Sequence, residues 1–163
     1  MKKIVFLIAL LLSVNALSQN TTNQTLEKII TRVADTTAGK SGSWQFVVED
    51  RMLLCITAEA NNRLRIISAI TEVSNLSVEE ILNSLVANFH TALDVKYAIS
   101  DEILWSVFIH PLQELSEAQI EDAIIQVYNA AHTFGTIYSS TNLSFPGNTK
   151  KVEREKPVEL QKG

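Results

Sequence analysis

The stretch ILWSVFIHPLQELSEAQIEDAIIQVYNAAHTFG, residues 103–135, decides the fold. Its first seven residues are apolar at nearly every position and rich in β-branched and aromatic types, which suits a central strand covered on at least one face. Pro111 has no N–H to give to a ladder, so the strand ends at His110. Ser116 is followed three places on by Gln119, the capping-box spacing, with Glu117 near the positive end of the dipole; a helix starts there. Ile120, Ala123, Ile124, Val127, Tyr128 and Ala131 recur every three or four residues and define its core-facing stripe, while Glu121, Asp122, Gln126 and Asn129 fall elsewhere. Gly135 supplies the stop.

Upstream, Leu26, Ile29, Ile30 and Val33 place a short amphipathic helix before a Gly39- and Gly42-containing segment, residues 36–43, that reads as a loop. Trp44, Phe46 and Val48 alternate with polar neighbours as in a strand, Glu49, Asp50 and Arg51 offer a turn, and residues 52–58 form a second strand. Asn61 and Asn62 tolerate left-handed backbone angles and mark another reversal, into a third strand with Leu64, Ile66, Ile67 and Ile70. Ser77 and Glu80 form a second capping box, and Ile81, Leu82, Leu85, Val86 and Phe89 give the stripe of a helix that is expected to point its leucines and phenylalanine inward. A short strand over residues 97–100 and a reversal at Asp101 and Glu102 lead back to the opening stretch. The expected fold is therefore α+β, in the order α-βββ-α-ββ-α: one domain with a five-stranded antiparallel sheet and helices packed against it.

The termini read differently from this domain. Lys2 and Lys3, an apolar run over residues 4–12, then Ala16 and Ser18 have the layout of an export signal, residues 1–18, which places the product in the periplasm or outside the cell. The run is short for a bilayer span, and no other segment is a candidate, so no stable membrane span is expected once the signal is removed. Residues 19–25 form a polar leader, residues 26–145 the domain, and residues 146–163, with Pro146, Gly147 and Pro157, a tail expected to be disordered. That tail carries five basic residues against three glutamates, which leaves residues 19–145 at −8. Such an acidic surface argues against nucleic acid as a partner.

The chemistry-bearing residues are sparse. His90, His110 and His132 stand apart, with no HExxH, CxxC or phosphate-binding glycine motif, so neither metal nor cofactor is expected. Cys55, the sole cysteine, sits among Leu53, Leu54 and Ile56 as a core residue and has no thiol to pair with. There is no GxSxG elbow and no catalytic residue is assigned. Five residues are candidates for partner binding. Arg63 and Arg65 share a strand face and suit a carboxylate-bearing partner, Trp44 and Trp105 (with Phe46 and Phe108) suit an apolar groove, and His110 stands at a strand end.

The element order, with RLRIISAI over residues 63–70, NF at Asn88 and Phe89, YAI over residues 97–99, IHPL over residues 109–112 and a closing helix ending in FG, resembles the YbjN-like group of bacterial proteins, whose domain is similar to type III secretion chaperones. The resemblance spans residues 26–145 and implies a non-enzymatic, usually dimeric protein that binds an extended partner segment along apolar surface. An exported protein-interaction module, with a homodimer as its natural form, is the leading expectation. A small-ligand or lipid carrier with an open space between helices and sheet is the second, and a hydrolase using His110 with Glu114 or Ser106 the third.

Overall fold

The computed structural model describes residues 20–144; the expected signal and tail lie outside them. Three helices, α1 (Asn23–Val33), α2 (Val78–His90) and α3 (Glu117–His132), accompany six strands: β1 (Thr36–Lys40), β2 (Ser43–Val48), β3 (Arg51–Ala58), β4 (Arg63–Glu72), β5 (Lys96–Ser100) and β6 (Ile103–His110). The strands form one antiparallel sheet in the order β1-β2-β3-β4-β6-β5. After β4 the chain crosses through α2 to the far edge, lays down β5, and returns to fill the slot between with β6.

The expected class holds, but the sheet has six strands rather than five. Residues 36–43 are not a loop: the backbone of Thr36–Lys40 pairs with β2, from Thr36 opposite Val47 to Lys40 opposite Ser43. All five residues of this edge strand are exposed, so no apolar pattern announces it. At Gly39 (φ +127°) a side chain would run into the Ser43 carbonyl, so only glycine fits. The other reversals follow the residues expected of them. Asn62 is left-handed at φ 52°, and Asp101 and Glu102 both have positive φ, 52° and 61°, as a two-residue hairpin turn requires.

The helices begin at their serines. Ser77 and Ser116 each accept from the backbone N–H three residues on, while Glu80 and Gln119 reach back to the serine N–H groups. α1 starts earlier than the leader boundary suggested. Thr22 caps it, and the Thr21 hydroxyl donates to the Leu115 carbonyl, so residues 21–25 belong to the folded unit.

α1 and α3 lie on one side of the sheet. Leu26, Ile29 and Ile30 of α1 and Ile120, Ala123, Ile124 and Val127 of α3 meet Phe46, Leu53, Cys55, Leu64, Ile66 and Leu104, all essentially removed from water. At about 1.5–3 kcal/mol for each fully buried large side chain, this layer is the dominant source of stability. Two polar side chains inside it are paired: Ser106 donates to the Val127 carbonyl at 2.9 Å and the Tyr97 hydroxyl to the Ala130 carbonyl at 2.8 Å. Gln126, expected outside the stripe, is buried, and its amide donates to Asp122 at 2.7 Å. A long amide is tolerated there because the Asp122 carboxylate and the backbone N–H of Asp94 satisfy it.

α2 departs most from expectation. It buries Ser84 and Ala87, and Leu82, Leu85, Val86 and Phe89 face outward, 56–74 % exposed. Periodicity defines a stripe without saying which side the fold covers. Here α2 lies beside the edge strand β5, to which Asn88 ties it by accepting from Tyr97 N–H and donating to Tyr97 C=O.

Candidate partner-binding face

Strand side chains alternate between faces, so one parity of β2–β6 builds the core and the other builds the opposite surface. Among the described residues no helix covers that second surface. In cross-strand register it presents a row of Leu54, Ile67 and Val107, a row of Ile56, Arg65 and Ile109, and a row of Ala69, Trp105 and Ala98. Met52, beside Val47, extends it. Met52, Ile56 and Ile109 are 59, 44 and 54 % exposed, and Leu54, Ile67, Trp105 and Val107 are half-buried by each other. An apolar sheet face of this breadth with no second layer is the unusual feature of the molecule.

Its relief is set by three side chains. Trp105 donates its indole N–H to the Ser100 carbonyl at 3.2 Å, which fixes the ring against the β5–β6 hairpin. Arg65 and Ile109 stand between two shallow hollows of about 380 Å³ each, one bounded by Ile67, Trp105 and Val107, the other by Ile56 and Arg63. Arg63 donates to the Asn62 carbonyl at 2.9 Å, whereas Arg65 has neither an ion pair nor a hydrogen bond among the described residues. The surface thus joins apolar rows to unpaired positive charge, on a domain that is otherwise acidic.

Of the five candidate residues, Arg63, Arg65 and Trp105 come together here. Trp44 does not: it is 3 % exposed and, like Phe46 and Phe108, belongs to the core. Its indole N–H finds no partner. His110 also faces the helix side, stacked on Phe108 with centroids 5.9 Å apart, its Nδ1 donating to the Pro111 carbonyl at 2.8 Å. It edges a hollow of about 200 Å³ with Asp94, Gln119, Asp122 and Gln126. Of the two groups expected to work with it, Ser106 is buried and bonded to α3, and the exposed Glu114 carboxylate accepts from the Asn62 amide. The hollow's own carboxylates, Asp94 and Asp122, share the Gln126 amide.

His90 and His132 end their helices, where a cation complements the dipole, and His132 stacks on Tyr128 at 5.5 Å. Cys55 is fully buried, and that burial pushes its thiol pKa up, away from the reactive thiolate. Among the described residues no cluster of three or more His, Cys, Asp or Glu could hold a metal ion, and no helix is long and apolar enough to cross a membrane.

The sequence reading missed Met52, Leu54, Ile56, Ile67, Val107 and Ile109 as surface residues. The signal was present in β4 and β6, whose runs are apolar at both parities, a pattern that demands cover on two sides. No protein-family model matches the chain, and no curated protein matches it.

Proposed function

We propose that this protein is an exported, non-catalytic interaction module that holds an extended segment of a partner chain on the uncovered face of its sheet. The observation that carries the reading is the set Leu54, Ile56, Ile67, Trp105, Val107 and Ile109, an apolar surface that among the described residues has no helix over it and no partner for Arg65 at its middle. An extended segment matches such a surface because its side chains alternate with the same period as the rows beneath, and a carboxylate on it would find Arg65. Export rests on the signal-like residues 1–18, and the chaperone-like role accords with what the resemblance to the YbjN-like group implies. The carrier reading gains nothing comparable, since the space between helices and sheet is filled by side chains at most a few per cent exposed.

The test compares the chain with a variant carrying Arg65→Glu and Trp105→Ala, both recovered from the cell envelope. A polypeptide that co-purifies with the unaltered chain and is lost from the variant, while Cys55 stays protected in both, is the expected result. Identical co-purified proteins from both, or none from either, would refute the proposal.

A further inference from the structure

The uncovered sheet face has an electrical direction as well as an apolar floor, and we infer that it orients its occupant. The bound segment carries a carboxylate at one end, apolar residues in between, and a lysine or arginine at the other. This rests on the reading of the face as a cradle for an extended segment and adds which segment it selects.

Along β4 and β6 the face is a line of three hollows. The first, at Arg63 and Ile56, and the second, at Trp105 and Ile67, hold about 380 Å³ each and share Arg65 and Ile109. The third, about 390 Å³, shares Asp101 with the second and is bounded by Glu72, Glu102 and Ile103. Simple alternation from Arg63 would turn Glu72 to the helix side, but the register shifts between Ala69 and Thr71 and sets Glu72 opposite Ile103, on the same side as Arg63 and Arg65. One end is therefore cationic, the other holds three carboxylates, and the floor between is apolar. All five charged side chains are exposed, and none is in an ion pair among the described residues.

At about 3.3 Å per residue, β4 from Arg63 to Glu72 spans roughly 25–30 Å, the length of an extended segment of about eight or nine residues. Laid one way, a segment of opposite end charges forms an ion pair at each end; reversed, it meets like charge at both. An anionic lipid surface matches only the Arg63–Arg65 end and is repelled by Glu72, Asp101 and Glu102 at the other, so the charge pattern selects polypeptide.

The test uses three end-blocked peptides of about nine residues, alternating valine and threonine, whose end residues are Asp and Lys, Asp at both ends, or Lys at both. Trp44 is 3 % exposed, so a blue shift of emission on covering the face comes from Trp105. At low salt the Asp–Lys peptide should bind about five- to tenfold more tightly than either comparator, and the lead should fade in about 0.5 M salt because the charges are exposed. Arg63→Glu with Arg65→Glu, both at exposed positions, should move the preference to the peptide with Lys at both ends. Orientation is read from disulfides, Cys55 being buried. A cysteine beside the peptide's aspartate should cross-link to Ala58→Cys, opposite Arg63, and one beside its lysine to Ser100→Cys, opposite Ile103. Equal affinity for the three peptides, a preference unmoved by the double variant, or the reversed cross-links would overturn the inference and leave a cradle without direction. A Trp105 emission that no peptide moves would overturn the reading of the face as well, and a shift with phosphatidylglycerol vesicles in that case would replace the segment with a lipid surface.

Discussion

Ile66 and Ile67 are consecutive residues of β4 with opposite fates, and replacing each by threonine separates the two sides of the sheet. Ile66 is fully buried against the helices, whereas Ile67 is half-buried in the Leu54–Val107 row of the uncovered face. Threonine is β-branched, so strand propensity is nearly constant and the comparison reports environment. At Ile66 the change removes buried carbon at about 0.8 kcal/mol per methylene, leaves a void, and strands a hydroxyl, for a total of about 3–4 kcal/mol. At Ile67 the lost carbon was only partly shielded and the hydroxyl meets water, so the cost is about 0.5–1 kcal/mol. For a domain of this size these correspond to Tm losses of about 12–16 °C and about 2–4 °C. Thermal unfolding followed by circular dichroism reads both. Equal losses would show that a layer covers the second face as it covers the first, and the reasoning would fail.

Other consequences can be checked with the same material. Burial pushes the Tyr97 phenol up to about 12 from an ordinary 10, so its contribution is complete below pH 10 and is lost as pH climbs toward 12. Urea midpoints measured across that window should fall, and Tyr97→Phe should flatten the fall while costing about 1 kcal/mol at neutral pH for the lost bond to Ala130. Ser77→Ala and Ser116→Ala each remove one capping box and should cost about 1 kcal/mol in urea unfolding, additively because they cap different helices. Arg32 spans Glu117 and Glu121 from α1 to α3, but all three groups meet solvent, so Arg32→Ala should leave the Tm almost unmoved at physiological salt. A thiol reagent should label Cys55 only after denaturation, since burial both hides it and holds it protonated.

Much of the layout was legible because it rests on local rules. The two Ser-x-x-Glu/Gln boxes place α2 and α3, Asn62 and the Asp101–Glu102 pair place the reversals, and the Ile120–Ala131 stripe lies against the sheet as its spacing required. Three things were hidden because they are decided by neighbours far along the chain. β1 is a strand only because β2 offers it a ladder, and Thr36–Lys40 has no buried side chain to betray it. The α2 stripe looks the same whether it meets the core or water; its outward direction follows from its place at the β5 edge, where Ser84 and Ala87 make the close approach. The candidate face was half visible, since Arg63, Arg65 and Trp105 were singled out, yet Trp44 and His110 lie on the helix side of the same sheet. Alternation tells which residues share a face within a strand, but not which of the two faces α1 and α3 cover.

The uncovered sheet face is the premise of the proposed function, and Met52 is its built-in reporter. It is the only methionine beyond residue 1 and stands 59 % exposed on that face. Dilute peroxide should convert its thioether to the sulfoxide in the folded protein nearly as fast as in the urea-unfolded chain, followed by intact-mass spectrometry, and a bound partner segment should slow it. Oxidation that waits for unfolding would mean the face is already covered, and the account would be wrong at its centre.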